Sequence, residues 1–163
     1  MKIKLIVAVT QDNCIGYKDD LVFKSKKDLR RFKELTSNNI IVMGSNTYKS
    51  LGYKPLPNRI NIVLSNKLVD NNVYVYNDIN KMLDDMLAYY PDKDIWIIGG
   101  ANVYYQFTDK VDEVHFTKSN LQNVKCDTYF DISKFSNIFV DSIENIEDDE
   151  NSHEYIIYKK HEK

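Results

Sequence analysis

The chain has 163 residues, 43% of them hydrophobic and 28% charged, with a formal net charge of −2. That length fits one domain spanning residues 1–163 and the composition is ordinary for a globular protein, while the slight acidity argues against a dedicated nucleic-acid binder, which carries a basic excess. No apolar run of about 20 residues offers a membrane-crossing helix, and apolar residues 3–9 are too few for a secretion signal and run into polar sequence, so the expected location is the cytoplasm.

Residues 3–10 are apolar and β-branched and read as a buried strand. Residues 11–23 are polar around Gly16 and read as a long loop, a length that in a compact domain points to function. Residues 25–36 read as a helix: Ser25 is a good N-cap, and Asp28 follows at capping-box spacing. Leu29, Phe32 and Leu35 supply its apolar face. Asp28 and Phe32 are four apart and share a side. Pointing inward, Asp28 would offer charge-assisted hydrogen bonds to a cationic or amidine-like edge; the alternative is a cap carboxylate facing water. Lys24, Lys26, Lys27, Arg30, Arg31 and Lys33 crowd this stretch and read first as a solvated face.

A second strand at residues 39–44 ends in Gly44 and feeds a short helix over 45–51. Pro55 and Pro57 stiffen the turn at 52–58, and Arg59 behind it is either a bidentate carboxylate clamp or a surface arginine. Strands follow at 60–65 and 73–76, then a helix at 78–89 through Ile79, Met82, Leu83, Met86 and Leu87. A buried strand at 95–98 ends in Gly99-Gly100 and feeds a helix over 102–107. A strand at 111–117 precedes a terminal hairpin, 139–143 with 154–158, around the acidic stretch 147–150. Strands alternating with helices imply an α/β fold with a mostly parallel, twisted, mixed sheet of about eight strands, flanking helices and a C-terminal antiparallel hairpin. Ligands in such sheets bind at the carboxyl ends of the strands. Two strands ending in glycine before a helix could grip the two halves of a dinucleotide, or be plain turns. Neither is a G-x-G-x-x-G or a P-loop.

Cys14 and Cys126 sit in no metal-ligand pattern and read as two reduced thiols. His115, His153 and His161 also lack ligand spacing, so no metal is expected. His115, in an alternating stretch, reads as a packed or surface strand residue.

In order and spacing these pieces resemble the dihydrofolate reductase family nearly end to end. The resemblance rests on residues 6–16 with Asp12 and Ile15-Gly16, and on Leu21-Val22-Phe23 with Asp28. It continues through Met43-Gly44 with Thr47-Tyr48 and Ser50-Leu51-Gly52, and Pro55-Leu56-Pro57-Asn58-Arg59 with Asn61 and Leu64-Ser65. Ile98-Gly99-Gly100-Ala101 with Tyr104 and Phe107, and Asp127-Thr128 with Phe130, complete it. The resemblance implies reduction of 7,8-dihydrofolate to 5,6,7,8-tetrahydrofolate with NADPH, supplying one-carbon metabolism and thymidylate synthesis, in a monomer that also takes antifolate inhibitors as ligands, with neither nucleic acid nor membrane as partner. It assigns Asp28, Leu21, Phe23 and Thr117 to the catalytic centre. Ile6, Val7, Ala8, Leu29, Phe32, Lys33, Ser50, Leu51, Leu56, Arg59, Ile98 and Tyr104 would meet the substrate. The dinucleotide would meet Ala8, Ile15, Gly16, Gly44, Ser45, Asn46, Thr47, Leu64, Ser65, Asn66, Lys67, Gly99, Gly100, Ala101, Asn102, Val103, Tyr104 and Gln106. Residues 13–24 would close over the site.

Four departures from the family pattern stand out. Val22 and Phe23 replace Pro and Trp, removing a fixed φ and an indole N–H donor. Ser45 and Asn46 stand where the family has basic residues near the cofactor's extra phosphate, and Asn102 is also uncharged. Lys67 is the nearest replacement cation. A related reductase of the same fold, acting on a ribosyl-aminopyrimidine, would need no pairing of Asp28 with a clamp at Arg59. A non-catalytic binding module is the third reading.

Overall fold

The computed structural model describes residues 1–18, 20–21, 23, 25–148 and 151–162. Val22 and Lys24 of the expected lid, and residues 149–150 of the acidic stretch, lie outside the described residues.

The apolar runs form the expected strands: β1 (Ile3–Val9), β4 (Ile40–Gly44), β5 (Ile60–Leu64), β6 (Tyr74–Tyr76), β7 (Ile95–Gly99) and β8 (Glu113–Ser119). The tail supplies β10 (Ile138–Ile146) and β11 (His153–Lys160). They make one eight-stranded sheet in the order β10-β11-β8-β1-β7-β4-β5-β6. β1 runs parallel to both β7 and β8, and β4 to both β5 and β7. Only β11 runs against its neighbours, pairing antiparallel with β8 and β10. The hairpin thus closes one edge of an otherwise parallel sheet, as its alternation implied.

Side chains alternate across the strands, so the sheet has two packed faces. Leu5, Val7, Val9, Ile40, Val42, Ile62, Ile95, Ile97, Val114 and Phe116 point to one. Met82 and Met86 of α3 (Ile79–Tyr89) cover them, with Val103 and Tyr104 of α4 (Ala101–Tyr105). Ile41, Met43, Val63 and Trp96 point to the other, joined by Ile6, Ile98 and Tyr48 of α2 (Ser45–Ser50) and by Leu35 of α1 (Lys26–Thr36). Val7 therefore belongs to the far core, 4% exposed, and its side chain does not reach the face where α1 lies.

Two expectations are corrected. Residues 11–23 are not a plain loop. They contain β2 (Cys14–Tyr17) and β3 (Asp20–Leu21), which form a three-stranded sheet with β9 (Thr128–Tyr129). Strands this short carry no alternation to read, and β9 comes from more than 100 residues away. That pairing also brings Cys14 and Cys126 to a Cα separation of 6.0 Å, and they are joined as a disulfide rather than standing as two thiols.

Candidate active site

The site begins with a cap. Ser25, extended and buried, accepts a hydrogen bond from the Asp28 N–H through its Oγ at 3.3 Å, and α1 starts there. The Asp28 carboxylate does not complete a capping box towards water. Its side chain is 19% exposed and turns to the sheet, where the Thr117 hydroxyl donates to Oδ1 at 2.7 Å. Thr117 lies on the same face of β8 as His115, opposite Val114 and Phe116. The strand's alternation thus aims a buried hydroxyl at the helix. Arg31, one turn along α1, also meets Oδ1, at 3.3 Å. Leu29 is 55% exposed and so is not part of a buried helix face; Lys33 is exposed as well.

Arg59 lies at the other end of α1. Its Nε donates to the Pro57 carbonyl at 2.9 Å and its Nη1 to Thr36 Oγ1 at 3.1 Å, with the guanidinium 5.9 Å from the Phe32 ring centroid. Among the described residues no carboxylate pairs with it, and burial lowers its pKa. Asn61, 6% exposed, fixes the turn before it. Its Oδ1 accepts from Leu56 N–H at 2.9 Å, and its Nδ2 donates to the carbonyls of Leu56 and Arg59 at 2.9 and 3.0 Å. Leu51, Leu56 and Ile98 are partly buried and pack against the core on this face of the sheet, whereas Ser50 is exposed and bonds back to the Thr47 carbonyl at 2.6 Å. Ile6 and Ala8 share the α1 face of β1 and are half-buried.

The two glycine turns lie side by side, since Met43 is in register with Gly99. A Cβ on Gly44 would come within 2.9 Å of Val103, and one on Gly99, whose φ is 125°, within 3.3 Å of the Tyr104 hydroxyl. Neither position has room for a side chain. The peptide between Gly99 and Gly100 is cis. Tyr104 is buried, and its hydroxyl lies 2.8 Å from the Ile6 carbonyl and 3.0 Å from that of Ile98; burial raises its pKa. It therefore fixes the floor between β1 and β7.

Beyond Gly44, a cleft of about 500 Å³ is lined by Ser45, Asn46, Lys49, Tyr53, Ser65, Asn66, Lys67 and Leu68. Ser65 Oγ accepts from the N–H groups of Lys67 and Leu68 at 3.2 and 3.1 Å, shaping the turn after β5. Two ammonium groups, a helix start and backbone left bare by Gly44 suit a phosphate-bearing dinucleotide. Gln106 does not join this cleft. Its amide bonds Asn102, and it lines a separate hollow with Asp78 and Lys110. Phe23, 3% exposed, packs edge-on against His153 at 5.5 Å, while Leu21 in β3 is 57% exposed.

The family profile described as dihydrofolate reductase matches residues 2–161. The chain belongs to the dihydrofolate reductase family. It is 32% identical over 131 residues to the dihydrofolate reductase of Haemophilus influenzae, covering 80% of this chain and 79% of that one. It is 36% identical over 137 residues to the bifunctional dihydrofolate reductase-thymidylate synthase of Paramecium tetraurelia, covering 81% of this chain but only 29% of that one. A solved dihydrofolate reductase of Enterococcus faecalis, complexed with NADP(H) and RAB-propyl, superposes with a TM-score of 0.86 at 26% identity, covering 99% of this chain and 97% of that one.

Two residues of these clusters escaped the sequence reading. Lys49 is four residues after Ser45, so α2 turns it to the same cleft; counting helical positions from Ser45 would have found it. Arg31 stood among six neighbouring cations, and the same count from Asp28 would have found it at i+3.

Proposed function

We infer that the protein reduces 7,8-dihydrofolate to 5,6,7,8-tetrahydrofolate with NADPH, supplying one-carbon metabolism and thymidylate synthesis. Family membership supports the reaction, and one geometric observation carries the assignment of the site: Asp28, on an otherwise ordinary surface helix, is turned onto a buried Thr117 hydroxyl at 2.7 Å. Asp28 and Thr117 hold the amino-amide edge of the pterin by charge-assisted hydrogen bonds. Phe32, Ile6 and Ala8 wall the ring, with Leu51, Leu56 and Ile98 beside them. Arg59, on its braced turn and without a carboxylate partner among the described residues, clamps the α-carboxylate of the glutamate tail.

NADPH, when bound, supplies the hydride added at pterin C6. Gly44 to Thr47 and Gly99 to Val103 hold its diphosphate at two helix starts, and Lys49 and Lys67 meet its extra phosphate. The proton for N5 comes from water, and Asp28 acts as an electrostatic anchor rather than a direct donor. Residues 13–24, including Leu21 and Phe23, exclude bulk water while the hydride moves. The protein acts as a cytoplasmic monomer of one domain, without nucleic acid; no helix among the described residues is long and apolar enough to cross a membrane.

The test is loss of nicotinamide absorbance with dihydrofolate, run with NADPH and NADH side by side. Consumption with NADPH is expected. No consumption with either rejects the reading.

A further inference from the structure

We propose that Arg31 determines ligand selectivity at Asp28, favouring a neutral donor edge over a cationic one. The inference rests on Asp28 being the carboxylate that meets the heterocycle.

Among the described residues the two partners of that carboxylate, Thr117 Oγ1 at 2.7 Å and Arg31 Nη1 at 3.3 Å, both take Oδ1. Oδ2 is the atom left for an incoming donor. The anion therefore already has a cation beside it when a ligand arrives. Arg31 is also held in place. Its guanidinium stacks 3.9 Å from the Tyr155 ring centroid, with its own side chain 18% exposed. The Tyr155 hydroxyl meets His115 Nδ1. His115 Nε2 lies 3.0 Å from Glu113 Oε1, and the imidazole packs edge-on against Trp96 at 4.8 Å. A stacked cation with buried backing cannot swing away cheaply when a second positive charge enters.

A 2-amino-4-oxo ring donates to a carboxylate without becoming charged. A 2,4-diamino ring takes up a proton when it pairs with a carboxylate, and then sits as a cation beside Arg31. Like charges several ångströms apart in a partly screened cleft cost affinity by about tenfold. The neutral ring escapes that repulsion. Arg31 thus acts as a charge filter while Asp28 does the binding.

The experiment compares dissociation constants for 2,4-diamino-5-benzylpyrimidine and its 2-amino-4-oxo counterpart, measured by competition with NADPH present and at mildly acid pH. The proteins are the unaltered chain, Arg31→Met, Arg31→Gln and Arg31→Lys. In both neutral variants the diamino compound should gain about tenfold over the oxo compound, while Arg31→Lys should keep the original ratio. The second neutral variant serves if the first does not fold. An unchanged ratio in the neutral variants, or a lysine variant that moves with them, overturns the proposal. If neither compound competes with dihydrofolate in the unaltered protein, the Asp28 assignment fails and this inference falls with it.

Discussion

At the residue scale, function concentrates in a few charges whose partners are now defined. Replacing Asp28 with Asn removes the anion but keeps the shape and the Thr117 hydrogen bond, so turnover of dihydrofolate at neutral pH should fall by orders of magnitude while NADPH affinity stays nearly constant. Titration of NADPH fluorescence alongside steady-state kinetics checks both halves; equal loss of cofactor binding would contradict the assignment. Lys49 and Lys67 flank one cleft in a region where the sequence has lost the family's usual basic residues. Lys67→Ala, and more so the double change with Lys49→Ala, should narrow the preference for NADPH over NADH, read as the ratio of kcat/KM. A ratio that does not move discards the two lysines as phosphate readers. That Lys67 lines this cleft was legible because few cations lie near it in the chain. Arg31 was readable as the i+3 partner of Asp28, but whether that pair turns inward depends on the phase at which α1 packs against β8, which local spacing does not encode. Leu29 fits an apolar stripe by spacing, but it is exposed, and the helix instead buries Thr36 and packs Leu35 against the core.

At the element scale, the Pro55–Arg59 turn shows how the proposed clamp is braced. Asn61 satisfies one N–H and two carbonyls that the turn would otherwise leave unpaired. Asn61→Ala should cost about 1–3 kcal/mol of stability, the usual penalty for orphaned buried polar groups. It should also raise the KM for dihydrofolate in the same direction as Arg59→Ala, with little effect on a pterin lacking the glutamate tail. An Arg59→Ala change that weakens both substrates equally would reject the clamp. The small sheet of β2, β3 and β9 was invisible beforehand because two- to four-residue strands offer no period, and its disulfide was invisible because sequence distance says nothing about spatial distance. Alkylation of the freshly isolated protein without reductant should leave Cys14 and Cys126 unlabelled, and labelling should appear only after reduction. Two labels without reductant would show the pair as free thiols, the state a reducing cytoplasm favours.

At the scale of the whole molecule, the sheet was readable because β1, β4, β5, β7 and β8 are long apolar runs bounded by polar turns, and their alternation with helices leaves few topologies. The strand order was not readable, since it places β1 between two strands that come some 90 residues or more later. The sheet also buries a titratable group that the proposed chemistry does not use. His115 is 5% exposed, and burial lowers its pKa despite the opposing pull of Glu113. In the unfolded chain it takes a proton near pH 6.5. Between that value and its lower folded pKa, the unfolded state therefore binds more protons, and stability falls as pH drops through that window. Urea midpoints measured across this range should decline in the unaltered protein and decline less in His115→Asn. Parallel slopes would assign the acid sensitivity elsewhere.

The position of β1 has a temporal consequence. Asp28 and the first glycine turn are synthesised early, yet the hydroxyl that meets Asp28 belongs to β8, and the strand that carries the second glycine turn ends at residue 99. β1 gains its first neighbour, β7, only once the chain is out to residue 99, and its second, β8, only once it is out to residue 119, so the proposed pterin cleft forms late on a nascent chain.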